Sequence, residues 1–348
     1  MSRSITLRSD TGQLSFRLVP RTLVVALLLL ALLLCGLFAG LTLGSHPTSF
    51  PAVINALLQP EQSDIVLIVH EIRLPRLLMA IIVGAALAVA GLILQGLVRN
   101  PLASPDVIGI TGGASVATVL FLTLGGAQLN ESWLPWVALL GALVVALIIT
   151  LLSGSSSVMP TRLILIGVGL AAALGALTTL LIVLSSDATA MRAYVWLTGS
   201  LYASQWKQVS SILPWVALFL PLALFNARKL DLLVLGDQLA TGLGSRLAAE
   251  RLGLLVIAVA LAGAGVAFAG GLSFIGLIAP HAARRLVSGG HTGLVIVSAL
   301  LGSLMLVSAD LIGRLAFAPR DLPAGIFVAA IGAPFFVYLL YRQQRQER

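Results

Sequence analysis

The chain has 348 residues, of which 59% are hydrophobic and only 10% charged, with a formal net charge of +8. A soluble domain is about 45–50% apolar and about 25% charged, so this chain lacks the polar residues to cover a water-facing surface. A mean hydropathy of +1.06 makes a bilayer its solvent, and the positive balance suits the basic loops of membrane proteins better than nucleic-acid binding.

Ten apolar segments are predicted to be transmembrane helices, so the chain is expected to be an all-α polytopic membrane protein. Residues 1–21 form an N-terminal tail, and the first span covers about 22–43. It contains Cys35, the single cysteine, which excludes an intramolecular disulfide. The small residues of a lipoprotein cleavage site are missing before it. A connection at 44–72 contains Pro47 and a short apolar run at 53–58.

Arg73-Leu74-Pro75-Arg76 opens the second span, 77–98. Two arginines around a proline at a helix mouth are well placed to bind carboxylates. Small residues from Gly84 to Gly91 allow close helix contact. Asn100-Pro101 and Ser104-Pro105 then break the chain at the opposite face. Spans three to five are expected at 108–124, 134–152 and 163–184. The loop 185–208 carries Tyr194, Trp196, Tyr202 and Trp206, an aromatic density typical of the membrane interface.

A sixth span, 209–225, leads into the long connection 226–251. Loops that merely join helices are shorter, so this one is expected to receive a partner. The seventh span is 252–268. The eighth, 272–286, is short and rich in helix breakers, and is expected to be tilted or broken. Spans at 294–312 and 324–341 and a tail at 343–348 complete the chain, leaving 22–342 as one transmembrane domain.

With the N-terminus inside, 15 of the 21 basic residues fall on the cytoplasmic side. Arg73, Arg76, Arg192, Lys207, Arg314 and Arg320 fall outside. The positive-inside rule thus puts both termini in the cytoplasm, which an even number of spans requires.

Several chemistries are missing. The chain has two lysines, Lys207 and Lys229, and neither belongs to a Gly-x-x-x-x-Gly-Lys-Ser/Thr nucleotide loop. No His, Cys, Asp or Glu cluster has metal-ligand spacing, so no metal site is expected. No catalytic residues are expected either, because acids and bases do not converge in the spans. Gln95 and Asp310 are the main polar groups there. Ion-coupled secondary carriers, the alternative class of transporter, usually keep buried charges on the ion path. Asp310 and Arg314, four residues apart, share a helix face on which they can pair.

The string from Arg73-Leu74-Pro75-Arg76 through Arg99-Asn100-Pro101-Leu102-Ala103-Ser104-Pro105-Asp106 resembles the permease family of bacterial ABC importers for iron-siderophore complexes, haem and vitamin B12. Trp196-Leu197-Thr198-Gly199-Ser200-Leu201 is similar to its Trp-x-x-Gly-Ser-Leu motif. Leu233-Val234-Leu235-Gly236 with Ala240, Leu243 and Gly244 is similar to its cytoplasmic coupling segment. Phe274-Ile275-Gly276-Leu277, Pro280-His281 and Arg284 continue the pattern, followed by Ala309-Asp310, Arg314 and Leu322-Pro323.

The resemblance implies ten helices and a permease subunit that is not itself an enzyme. Its implied partners are a second permease subunit, a paralogue rather than an identical copy, two cytoplasmic ATPases and a periplasmic binding protein. ATP and magnesium would sit on the ATPases, and this chain would hold no cofactor. It further implies that Arg73, Arg76 and Arg314 engage acidic residues of the binding protein. Asn100 and Leu102, with Pro160 and Thr161, would form an inner gate. Pro160 departs from the small hydroxyl residue usual in the family. Leu235, Gly236, Ala240, Leu243 and Gly244 would couple to the ATPase, with short helices over 235–251 and sharp turns at Gly236, Gly242 and Gly244. The implied location is the bacterial inner membrane. The motifs look most like permeases for ferric citrate and related iron(III) chelates, with vitamin B12 or haem as alternatives.

Overall fold

The computed structural model describes residues 5–8, 15–44, 46–59, 65–125, 130–153 and 160–346. Each of the ten predicted spans is a helix. In chain order they are α1 (Pro20–Thr42), α3 (Leu74–Val98), α4 (Ile110–Gly125), α5 (Leu134–Ser153), α6 (Pro160–Val183), α8 (Trp206–Phe225), α11 (Leu247–Ala269), α12 (Ile275–Leu286), α13 (His291–Leu315) and α14 (Ala324–Gln346). Four shorter helices lie between them: α2 (Phe50–Leu58), α7 (Asp187–Leu197), α9 (Ala227–Val234) and α10 (Asp237–Gly242). Among the described residues the strands are confined to a small antiparallel hairpin in the N-terminal tail, β1 (Ile5–Arg8) with β2 (Ser15–Leu18).

Among the described residues, seven helices are long and apolar enough to cross a bilayer alone, and α4 and residues 324–339 of α14 are shorter apolar helices. The 12 residues of α12 rise only about 18 Å, well short of a hydrocarbon core of about 30 Å. The expected break is therefore present. The chain leaves α11 in non-helical form at 270–274, and Phe274, whose φ is +67°, caps the start of α12 at Ile275.

Non-helical backbone at membrane depth must find partners inside the protein. Here the partner is the Trp196–Leu201 motif. The Ser200 N–H donates to the Ala269 carbonyl (2.9 Å), Gly271 N–H to Trp196 (3.3 Å), and Gly325 N–H to Gly199 (3.0 Å). Gly199 adopts φ +74° to present its carbonyl.

Helix α3 is the hub, packed by α11, α12 and α13. In lipid there is no water to drive helices together, so association depends on close packing of small residues. A Cβ on Gly84 would overlap the backbone of Gly302 in α13. One on Gly91 would overlap Gly276 in α12. Helices α4 and α5 pair in the same way through Gly113 and Gly141, and α6 leans on α4. A π-helical turn, Leu67–Arg73, extends α3 at its N-terminal end into one apolar helix of 32 residues. This end is the one the charge asymmetry predicts to be outer, and the end bearing α9 and α10 is the one it predicts to be inner.

Candidate functional site

The structure has two ionic clusters, one at each end of α3. At the outer end Arg76 is 7% exposed. Its Nε donates to Asp310 Oδ1 at 2.8 Å, and Nη1 and Nη2 fork onto Asp321 at 2.5 and 2.8 Å. Arg76 Nη2 also lies 2.7 Å from Asp310. Arg314 Nε lies 3.3 Å from Asp310 Oδ2, so the predicted i, i+4 pair is present. Arg73 is 4% exposed. It donates to the carbonyls of Leu41 and His46, both at 2.5 Å, and to the Thr48 hydroxyl at 3.0 Å.

Arg73, Arg76 and Arg314 are thus gathered at one place, as the shared motif implied. All three guanidiniums are engaged within the chain. The sequence did not reveal Asp310 and Asp321 as counter-ions of Arg76, because they lie 234 and 245 residues away. A buried arginine needs a carboxylate partner, and that rule points to a short list of acids but not to one.

At the inner end α3 stops at Arg99, whose φ is +53°. The Asn100 N–H donates to the Gln95 carbonyl (3.2 Å), and the Asn100 carboxamide accepts the Leu102 N–H (2.9 Å). Asn100 therefore builds the turn on which Leu102 sits, and both residues are half-buried. The loop climbs back into the bundle. The Asp106 carboxylate accepts the Thr111 hydroxyl at 2.6 Å and the Phe274 N–H at the start of α12. Pro160 opens α6 and Thr161 follows it, but the side chains of both lie outside the described residues.

The expected coupling segment is helical, with a correction. Its helices begin at Ala227, not at 235, and Leu235 is the cap of α9. Gly236 and Gly244 take φ of +106° and +86°, a region glycine enters freely. Gly242 ends α10 and makes no left-handed turn. Leu235, Leu239 and Leu243, spaced four apart, are exposed, whereas Ala240 is buried against its own chain. Leu239 escaped the motif comparison, and no helical period links it to Leu235, because Gly236 breaks the helix between them.

These short helices are tied to the spans by charge. Arg99 Nε donates to the Leu233 carbonyl (2.8 Å), and its Nη2 pairs with Asp237. Arg251, 1% exposed, donates to the same Asp237 oxygen at 2.6 Å. Asp231 Oδ1 accepts the His291 N–H at 2.9 Å and lies 2.6 Å from His291 Nδ1. Burial works to raise the Asp237 carboxyl, but hydrogen bonds and charge from Arg99 and Arg251 hold it below the usual range. Asp231 is held low in the same way, by His291 and by Arg228 against the effect of burial.

A polar crosspiece joins α3 to α12. Gln95 Nε2 donates to the Gly276 carbonyl at 3.0 Å, and Gln95 Oε1 accepts from Arg284 Nη1 at 2.5 Å. This contact lies beside the Gly91–Gly276 approach, so α3 and α12 are joined by both packing and charge. Among the described residues, no group of His, Cys, Asp or Glu could hold a metal ion. Hydrogen bonds, ion pairs and close packing connect the outer cluster, the spans and the short helices α9 and α10.

Known proteins share this plan. The FecCD transport family matches residues 28–342. The achromobactin transport system permease protein CbrC of Dickeya dadantii (strain 3937) is 45% identical over 332 residues, covering 95% of this chain and 94% of the relative. The Fe(3+) dicitrate transport system permease protein FecD of Escherichia coli (strain K12) is 43% identical over 321 residues, covering 92% and 99%. A metal-chelate type ABC transporter solved in an inward-facing conformation superposes with a TM-score of 0.80 at 29% identity, over 92% of this chain and 99% of that one. The apolar helices, the motif order and these near-full-length matches agree: the chain is a multi-pass membrane protein that belongs to the FecCD transport family.

Proposed function

We propose that this chain is the membrane permease subunit of a binding-protein-dependent ABC importer for an iron(III) chelate of the ferric-citrate or siderophore type. Its membrane would be the bacterial inner membrane, with both termini in the cytoplasm. The observation that carries this proposal is the match of nearly the whole chain to permeases named for chelated-iron systems.

Each partner has a surface that supports it. The exposed leucines Leu235, Leu239 and Leu243 lie outside the spans, and clustered exposed apolar side chains mark contact sites for another protein. We assign that contact to the ATPase that holds ATP and magnesium. Gly236 and Gly244 set the turns of this segment, while Ala240 packs inward to hold α10. The arginine cluster of Arg73, Arg76 and Arg314 is the docking region for acidic side chains of the binding protein. Asn100 and Leu102, with Pro160 and Thr161 at the start of α6, form the inner gate. The open face of α6, where Gly169 and Gly175 have no neighbour, receives the second permease subunit, a paralogue of this chain.

The test is uptake in proteoliposomes containing the permease pair and ATPases, with binding protein charged in turn with ferric citrate, a siderophore complex, haem or vitamin B12. Uptake of an iron(III) chelate that needs ATP and ignores an uncoupler is the expected result. Uptake by this chain alone, abolished by the uncoupler, would assign it to the ion-coupled carriers instead.

A further inference from the structure

The two counter-ions of Arg76 differ in a way that bears on docking. Asp310 belongs to α13 and its side chain is 0% exposed. It contacts Arg76 through Nε and Nη2 and lies beside Arg314. Asp321 belongs to the non-helical connection between α13 and α14, and its side chain is 26% exposed. It occupies the fork formed by Nη1 and Nη2, one of the two edges on which a guanidinium pairs bidentately with a carboxylate, while Asp310 takes the other edge at Nε and Nη2. One carboxylate is thus held in a helix and inaccessible, and the other lies in a non-helical connection and is partly exposed.

Resting on the docking role proposed for Arg76, we propose that Asp321 is an internal placeholder. It fills the Arg76 fork until a carboxylate of the binding protein takes that position, while Asp310 stays as the permanent counter-ion. Simple loss of Asp321 would leave a largely buried arginine short of a partner, which is unfavourable. Exchange of one carboxylate for another keeps the count of ion pairs constant. Arg73 supplies the attraction, because its acceptors are neutral carbonyls and a hydroxyl, so its charge is not cancelled. Displacement would also free the connection leading to α14. That connection is held to its neighbours by backbone hydrogen bonds from Leu322 to Gly313 (3.4 Å) and from Gly325 to Gly199 (3.0 Å).

The experiment measures binding of the binding protein, charged with ferric citrate, to the assembled importer in nanodiscs. Asp321→Asn and Asp321→Ala should tighten binding by about threefold or more, the scale of one exposed ion pair. Asp321→Glu should bind as the unmodified importer does. Arg76→Gln should weaken binding and abolish the gain in the double variant. If Arg76→Gln leaves binding unchanged, the docking role itself fails. If Arg76→Gln weakens binding but neither Asp321 variant tightens it, only the placeholder fails. Failure of both Asp321 variants to assemble would make the residue structural, and that too would overturn the proposal.

Discussion

Helices α3 and α6 are both long apolar spans with glycines on their faces, yet 78% of the α3 window is buried and only 17% of the α6 window. In α3 the glycines at 84 and 91 are filled by the backbones of α13 and α12. In α6 the glycines at 169 and 175 meet open space. Apolarity places both helices in the bilayer, and small residues permit close packing in both. What differs is whether the partner belongs to the same chain. Similar local chemistry marks an internal hub in one helix and, in the other, an open face proposed as the site of a second subunit.

The comparison breaks first at the glycines. Gly91→Leu should prevent folding, because the added side chain meets backbone that cannot rotate away, and overpacking of even well-placed methylenes costs about 1–3 kcal/mol. Gly175→Leu should leave thermal unfolding of the detergent-solubilised chain nearly unchanged and instead weaken assembly with the second permease. Equal destabilisation by the two substitutions would erase the distinction between hub and interface.

A smaller effect is expected at the crosspiece. Gln95→Leu removes the carboxamide that receives Arg284. Leaving that group short of a partner should cost about 1–3 kcal/mol, seen as a lower unfolding temperature with α6 unaffected in hydrogen exchange. Gln95→Glu, which keeps an acceptor for Arg284 but loses the donor to the Gly276 carbonyl, should recover only part of the loss.

The smallest effect concerns pH at the inner helices. Asp231 and Asp237 titrate below the ordinary carboxylate value in the fold. Their contribution is therefore complete above about pH 4 and lost as the pH falls through their folded values. Limited proteolysis within residues 226–246 should stay constant between about pH 5 and 8 and rise below about pH 4. Cleavage that rises between pH 8 and 6 would show that these carboxylates do not hold the segment.

Much of the fold was legible because a bilayer imposes long apolar runs, and each run can be counted without knowing its neighbours. The break in the eighth span was visible in its glycines and prolines. The helix starts near the coupling segment were not, because α9 is polar and the leucines that follow made 235 seem the beginning. At the outer cluster, Arg76 and Arg314 stood out by sequence pattern, and Asp310 by its place four residues before Arg314. Asp321 did not, since a single acid in a turn has no period to mark it. Pairings between distant segments are set by tertiary packing, which one sequence without relatives does not display.

The length of α3 has one more consequence. Arg76 and Arg99 belong to one continuous helical stretch and its cap, 23 positions or about 35 Å apart at 1.5 Å per residue. The outer arginine belongs to the cluster proposed for docking, and the inner one touches the helices proposed to meet the ATPase. One helix, packed by α11, α12 and α13, connects the two ends directly. Where binding at one end shifts affinity at the other, linkage is reciprocal. Whatever factor the nucleotide state of the ATPase imposes on affinity for the docked protein, docking must impose on affinity for the nucleotide.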